Sequence, residues 1–203
     1  MGDVETVIKD KKELYKYLSA FVMGDAGVYY SGKNCRLVTN SIEKEYILWK
    51  KDILENLTKV NYHVRIDKRT DYNRKPLHVL TTRTHPTYTK LRNRFYTDKY
   101  RGIDPHYLKL MDWETLSILF MDDGSCYQDP RCNATPSVNL NTKRLSYADT
   151  WLLKKGIKEK FGLEFNIQRQ KHMYYLRLRS KDYYKFVAGV SPFILDCFQY
   201  KIL

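Results

Sequence analysis

The chain has 203 residues, with 36 Lys and Arg against 23 Asp and Glu, which gives a formal net charge of +13. This charge favours a polyanionic partner, and the 14% of aromatic residues excludes a disordered basic tail. No apolar run approaches the ~20 residues that span a bilayer. We therefore expect no membrane segment and no secretory leader, and a protein that acts where it is made, in a cytoplasm or an organelle matrix. The four cysteines form no Cys-x-x-Cys pair, so we expect reduced thiols.

The first half of the chain predicts helices that alternate with pairs of strands. Apolar residues at helical spacing end at Gly24, and a hairpin signal follows around Gly32. Ser41 is the expected N-cap of the next helix, and Pro86 is expected to open the last one. The predicted helices cover 13–24, 42–57 and 87–96, and the predicted strands cover 28–30, 35–39, 61–70 and 77–83.

The second half repeats this plan. Asp112 and Ser146 are the expected N-caps of its two long helices, with Asp149 completing a capping box at Ser146. Residues 47–55 lie over 151–159 without a gap, and five of the paired residues are identical: Leu, two lysines, Ile and Glu. The sequence therefore predicts an α+β protein built from two pseudo-symmetric α-β-β-α-β-β-α units, with halves at 1–100 and 101–203.

Two stretches, 18–26 and 116–124, each read as an apolar helix that carries small residues and ends on an acid. The acids are Asp25 and Asp123. A carboxylate at the C-terminal end of a helix faces unpaired carbonyls and the negative end of the helix dipole. Something positive is expected beside each acid, and oxygen ligands suit Mg²⁺, for which Mn²⁺ is the expected substitute.

These two stretches resemble the two motifs of the LAGLIDADG homing endonucleases. Residues 120–125, Phe-Met-Asp-Asp-Gly-Ser, match the signature of the subgroup that includes the mitochondrial omega-intron endonuclease, and Gly24-Asp25-Ala26 resembles its degenerate first motif. The resemblance implies a monomer whose two sheets form a saddle on double-stranded DNA. It also implies that Asp25 and Asp123 bind the metal ions, one for each strand cut. Gly24 and Asp122 are the expected carbonyl ligands, and Asp122 is the second choice for the acid.

The resemblance also implies a basic residue beside each metal. Lys201, in the tail 200–203, matches the tail lysine of the omega-type enzymes. Arg101 stands where the family usually has lysine in the other half, and Lys99 is an alternative. An arginine can hold a phosphate but does not accept a proton.

Several strands alternate apolar and polar residues, as a sheet does when one face packs on helices and the other meets a groove. Tyr175, Arg177 and Arg179 share one face, for example. Arg suits guanine edges, and Asn suits adenine edges. The predicted DNA contacts are Tyr29, Lys33, Arg36, Arg65, Lys68, Arg69, Arg83, Asn139, Asn141, Lys143, Arg169, Arg177 and Arg179.

The leading interpretation is a site-specific DNA endonuclease. The alternative is an RNA-binding maturase of the same fold, which would bind intron RNA and would not need the two acids. A DNA-binding regulator with vestigial motifs ranks third. Retention of Asp25 and Asp123 favours cleavage.

Overall fold

The computed structural model describes residues 8–66, 75–97, 100–128, 131, 134–142 and 144–202. The chain divides into two compact units, Met1–Arg92 and Asn93–Leu203. The halves predicted from the sequence repeat, 1–100 and 101–203, stay a prediction. Within the described ranges, no helix is both long and apolar enough to cross a membrane.

Both units have the predicted alternation of helices and strand pairs. The first contains α1 (Lys11–Met23), β1 (Gly27–Ser31), β2 (Asn34–Ser41), α2 (Lys44–Glu55), β3 (Val60–Arg65), β4 (Leu77–Thr82) and the start of α3 (Pro86–Phe95). The second contains β5 (Tyr96–Thr97), β6 (Tyr100–Arg101), α4 (Pro105–Leu110), α5 (Trp113–Asp123), β7 (Gly124–Tyr127), β8 (Ser137–Asn141), α6 (Tyr147–Phe161), β9 (Phe165–Gln170), β10 (Met173–Leu178) and α7 (Tyr183–Val190). Short 3₁₀ turns at Ser191–Phe193 and Asp196–Lys201 lead to the C-terminus.

Each unit forms one four-stranded antiparallel sheet, and the two sheets have the same topology. The strand orders are β1-β2-β4-β3 and β7-β8-β10-β9. One face of each sheet is apolar: Leu37 and Leu80 are fully buried in the first, and Leu140 and Leu176 in the second. The repeated segments 47–55 and 151–159 fall on α2 and α6, and both helices pack on their own sheet. The predicted α+β class is confirmed.

An aspartate side chain caps the start of each motif helix, α1 and α5. Asp10 accepts a hydrogen bond from the backbone N–H of Glu13 (2.7 Å) at the start of α1. At α5 the predicted cap is confirmed, because Asp112 accepts from the N–H of Thr115 while Thr115 Oγ1 accepts from the N–H of Asp112, both at 2.9 Å. This reciprocal pair satisfies two donors that a helix start leaves unpaired.

The predicted cap of α2 at Ser41 is wrong. Ser41 pairs with His78 in the β2–β4 ladder and therefore stays extended. Its hydroxyl accepts from the N–H of Glu43 (3.1 Å), and α2 begins at Lys44 with Glu43 as an N-cap that makes no side-chain hydrogen bond. At α6, Ser146 is the predicted cap and accepts from the N–H of Asp149 (3.1 Å).

Candidate active site and nucleic-acid interface

The second motif forms the C-terminal end of α5. The helix ends at Asp123, and the backbone N–H of Gly124 donates to the carbonyl of Phe120. A Cβ at Gly124 would lie 2.5 Å from that carbonyl oxygen, so only glycine fits without a shift of the backbone. Asp122 and Asp123 are both half-buried at this end. The strand that follows, β7, starts at Gly124 and links the acids directly to the sheet.

Lys201 supplies a positive charge at the same helix end. Its ammonium donates to the carbonyls of Met121 (2.6 Å), Gly124 (3.0 Å) and Phe120 (3.3 Å). Phe120 and Met121 belong to the last turn of α5 and Gly124 follows it, and a cation at this end of a helix is stabilised by the helix dipole. The sequence predicted Lys201 as a basic helper beside the acid of α5. The structure brings it to the backbone of the motif itself.

The first motif ends differently. α1 stops at Met23, so Asp25 lies two positions beyond the helix instead of on its last turn. The N–H of Gly24 donates to the carbonyl of Ala20 (3.0 Å), and the N–H of Ala26 donates to that of Phe21 (2.9 Å). Asp25 between them is half-buried, and β1 begins at Gly27. In both motifs the acid therefore stands between the motif helix and the strand that follows it, α1 and β1 or α5 and β7.

The donor set at these junctions suits a divalent cation, although neither junction is a complete protein cage. Carboxylate and carbonyl oxygens are the hard ligands that Mg²⁺ prefers, and Mg²⁺ usually keeps waters or substrate phosphates in its shell. Among the described residues, no group of three or more His, Cys, Asp or Glu side chains forms a metal-binding cluster. The assignment of Asp25, Asp123, Gly24 and Asp122 as ligands stays a prediction.

Asp122 has an electrostatic effect on a buried tyrosine. Tyr107 on α4 is fully buried. Burial raises the pKa of its phenol well above the ordinary value, and the negative charges of Asp112 and Asp122 raise it further. The phenol therefore stays protonated, and Asp122 acts on the interior of its own unit.

Arg101, predicted as the second basic helper, is half-buried on β6. Its guanidinium donates to the hydroxyl of Tyr96 (3.2 Å) and lies 5.7 Å from the centre of that ring. The alternative helper, Lys99, lies outside the described residues. The structure gives Arg101 a local partner within the β5–β6 hairpin, and its role in catalysis stays a prediction.

The open face of the second sheet is mostly polar, as its alternation predicts. The register sets Ser125 opposite Asn139, Asn139 opposite Arg177, and Arg177 opposite Asn166 in one row across the sheet. A second row contains Asn141, Tyr175 and Gln168. The predicted contacts Asn139, Asn141 and Arg177 thus share a face. Asn166, Gln168 and Gln170 lie on that face as well; they were not among the predicted contacts, although the period-two pattern of β9 indicates their position.

Arg169 does not share this face. It pairs with Tyr174, whose ring makes an edge contact with Tyr147 of α6, so the two residues lie on the side of the sheet that packs on the helix. Its Nε donates to the carbonyl of Lys171 (3.0 Å). Successive residues of a strand point to opposite faces, which separates Arg169 from Gln168 and Gln170. Arg169 therefore lies on the opposite face from Asn139, Asn141 and Arg177, and its role as a DNA contact stays a prediction.

Arg179 is paired with an acid. Its Nη1 lies 2.6 Å from Oε2 of Glu164, and the ammonium groups of Lys158 and Lys181 each lie 3.1 Å from the same carboxylate. Hydrogen bonds from Lys158 and Lys181, with the charge of Arg179, lower the pKa of Glu164 to about 2. This exposed network holds the Arg179 side chain at one edge of the sheet.

The predicted contacts of the first unit are exposed. Tyr29 pairs with Arg36 across β1 and β2, and Lys33 lies in the turn that joins these strands. Arg65 and Arg83 are exposed at the end of β3 and just after β4. The central positions of this open face carry Val38, Val79 and Thr81 and one amide, Asn40. Three further predicted contacts, Lys68, Arg69 and Lys143, lie outside the described residues.

A repeated α+β unit with an acid at or just after the end of each motif helix is the architecture of the homing endonuclease fold. The chain belongs to the LAGLIDADG DNA endonuclease family, whose model matches residues 18–186. It is 26% identical to a probable intron-encoded endonuclease of Wickerhamomyces canadensis over 223 aligned residues, which cover all of this chain and 93% of that protein.

Two solved structures share the fold. The homing endonuclease I-WcaI bound to its DNA recognition sequence matches with a TM-score of 0.81 at 20% identity, covering 98% of this chain and 96% of that one. I-DmoI in complex with DNA and Mn matches with a TM-score of 0.57 at 15% identity, covering 89% and 97%. The family is one of DNA endonucleases, and the two-unit fold predicted from the motifs is confirmed.

Proposed function

We propose that this protein is a monomeric, site-specific endonuclease that cuts both strands of a long DNA duplex with the help of divalent metal ions. The observation that carries the proposal is the acid that each unit retains between its motif helix, α1 or α5, and the strand that follows: Asp25 and Asp123. Family membership supports nuclease chemistry, and the presence of DNA and Mn in the I-DmoI complex supports a divalent metal.

In this proposal Asp25 and Asp123 hold the metal ions, and the backbone carbonyls of Gly24 and Asp122 contribute oxygen ligands. A bound Mg²⁺ would supply Lewis acidity at the scissile phosphate and a more acidic water. Asp123 is the last residue of α5, and Lys201 donates to the carbonyls of Met121 and Gly124 on either side of it. The same ammonium places a positive charge near the position where phosphate charge develops during cleavage.

The sheets position the DNA. Exposed Arg36, Arg65 and Arg83 in the first unit, and Arg177 in the second, are suited to phosphates or guanine edges. The formal charge of +13 adds attraction that does not depend on sequence, so binding is expected to weaken steeply with salt. The target therefore has to be a duplex long enough to meet two four-stranded sheets.

The test is cleavage of a randomised duplex library, followed by kinetics on the recovered site. We expect cutting that requires Mg²⁺ or Mn²⁺ and stops in EDTA. Asp25→Asn or Asp123→Asn should each lower the rate of double-strand cutting at least ~1000-fold, because each removes a charged oxygen ligand from one strand's site. Binding to the recovered site in the absence of metal should be retained.

Asp122→Asn is the matched control, since it removes a neighbouring carboxylate and leaves the backbone carbonyl in place. It should slow cutting far less than Asp123→Asn. Cutting that survives both Asp25→Asn and Asp123→Asn would refute the proposed mechanism. Preferential binding of intron RNA over duplex DNA, unaffected by the two substitutions, would favour the maturase alternative.

A further inference from the structure

A cleft of about 290 Å³ opens on the polar face of the second sheet. The described residues that line it are Ser125, Asn139, Asn141, Gln170 and Tyr175. They come from all four strands of that sheet, β7, β8, β9 and β10. Three of the five side chains are amides, and none of these described lining residues carries a formal charge. This composition contrasts with the strongly basic chain that surrounds it.

Because its lining is uncharged, the cleft is not suited to binding a phosphate group. Phosphate contacts fix the position of a protein on DNA and come chiefly from Arg and Lys, helped by hydroxyls and backbone N–H groups. A cleft of amides and hydroxyls presents donors and acceptors side by side, which matches the edge of a base. The ring of Tyr175 adds an apolar surface beside them.

Asn139 carries the most specific signal in this cleft. Its Oδ1 is buried and has no hydrogen-bond partner among the described residues. An unpaired buried acceptor is unfavourable, because it has lost its hydrogen bonds to water without a replacement. The amide of asparagine turns readily about χ2, since that torsion is broad, so a donor that enters the cleft can pair with this oxygen.

The donors and acceptors that each base presents in the major groove determine which base the cleft can bind. In the major groove adenine offers an acceptor at N7 next to a donor at the N6 amine, and this pair matches the donor and acceptor of one amide. Guanine offers two acceptors, N7 and O6, so an amide oxygen would face a carbonyl oxygen. Cytosine offers the N4 donor alone.

We infer that this cleft, which we call the amide cleft, reads adenine in the major groove, so that the DNA contacted by the second unit carries A·T pairs at the positions facing Asn139 and its neighbours. The inference rests on the proposed function, because it assumes a duplex DNA target. It adds the base class that one half of the target must contain.

The experiment selects bound duplexes from a randomised library in the absence of cleavage, with the full-length wild type and with Asn139→Val. Valine is chosen because Val38 occupies the matching position of the first sheet, opposite Thr81 as Asn139 is opposite Arg177. We expect an adenine preference in the wild type that falls on the order of tenfold to a hundredfold at one position in the variant. Asn56→Ala, which removes an exposed amide from the end of α2, is the matched control and should leave the profile unchanged.

Base analogues test the same contact without altering the protein. At the selected position, 7-deazaadenine removes N7 and purine removes the N6 amine, and each should weaken wild-type binding about tenfold. A preference for guanine, or full binding to both analogues, would overturn the inference. So would a folded Asn139→Val protein with the wild-type profile. If the wild type selected and cut no specific duplex, the proposed function itself would fail, which is a different result from a specific nuclease without the adenine preference.

Discussion

The two units have the same sheet topology but present different chemistry on the open face. Matching positions are identified by the register: Val38 and Thr81 pair in the first sheet where Asn139 and Arg177 pair in the second. The centre of the first face carries Val38, Val79 and Thr81 with one amide, Asn40, whereas the second face carries Asn139, Asn141, Tyr175 and Arg177. Apolar groups suit the thymine methyl, whereas amides suit adenine. The same sheet topology with different side chains on the two open faces thus suits a DNA target whose two halves differ in sequence.

The helix–strand junctions also differ. α5 continues through Asp123, and its last carbonyls are held by Lys201, whereas α1 ends at Met23, two residues before Asp25. The retained acids make both junctions candidates for the same chemistry. The local backbone that positions each acid is different, so the two strands of the target are expected to respond differently to substitutions around each acid.

Among the substitutions that test the difference between the two helix–strand junctions, Lys201→Met is expected to have the largest effect. The change removes a cation from two carbonyls of α5 and from that of Gly124, which follows it, and an interaction of this kind in a partly buried setting contributes up to ~2 kcal/mol. We expect a melting temperature lower by about 2–8 °C, since ~1 kcal/mol corresponds to about 2–4 °C in a chain of this size. The cleavage rate should fall about tenfold to a thousandfold, measured on supercoiled plasmid so that nicked and linear products are separated.

Lys160→Met is the control for that experiment. The ammonium of Lys160 also donates to a carbonyl near a helix end, that of Lys109 (2.6 Å), but α4 carries no motif acid. It should alter the melting temperature without changing cleavage. Lys201→Arg, which keeps the charge, should recover most of the stability. Equal cleavage rates for the wild type and Lys201→Met would show that this lysine does not take part in the reaction.

The order of the elements, the α5 cap at Asp112 and the polar face of β8 could all be predicted from local patterns. Three features could not. Ser41 was assigned to a helix cap because its pairing with His78 is not visible in the local sequence. Arg169 was predicted as a DNA contact because it is basic, but the face of the sheet on which it lies is set by the register of β9 against β10. The partners of Lys201 lie 77 to 81 residues away in the chain. Long-range pairing decides each of these outcomes.

A smaller effect is expected when an amide is introduced into the first sheet at the position that matches Asn139. Val38→Asn places an amide at the position of the first sheet that matches Asn139, and it should add an adenine preference of about fivefold to tenfold at one position of the other half-site. Selection from the same randomised library measures it. Stability should decrease slightly, because asparagine is less favourable than valine in a strand. An unchanged base profile would show that the two sheets do not meet their bases in equivalent ways.

The smallest expected effect concerns the edge of each sheet. Arg179 donates its backbone N–H to the carbonyl of Glu164, and Arg83 makes the same contact with Lys59, so an acid in the second unit stands where a lysine stands in the first. Glu164→Gln should lower the melting temperature slightly at pH 7. The folded pKa of about 2 lies below the ordinary 4.5, so the stabilisation by the carboxylate is complete above pH 4.5 and is lost as the pH falls towards 2.

Thermal melts of the wild type and Glu164→Gln should therefore converge between pH 4.5 and pH 2, and 1 M salt should reduce their difference at pH 7. Glu159→Gln, which removes an exposed acid from a looser pair with Lys155 (3.7 Å), is the control and should change the melting temperature at pH 7 less than Glu164→Gln does. Releasing Arg179 from its acid should also strengthen non-specific DNA binding and steepen its salt dependence, because one more guanidinium becomes available to phosphate. Weaker non-specific binding by Glu164→Gln would instead mean that the acid holds Arg179 in its DNA-binding position.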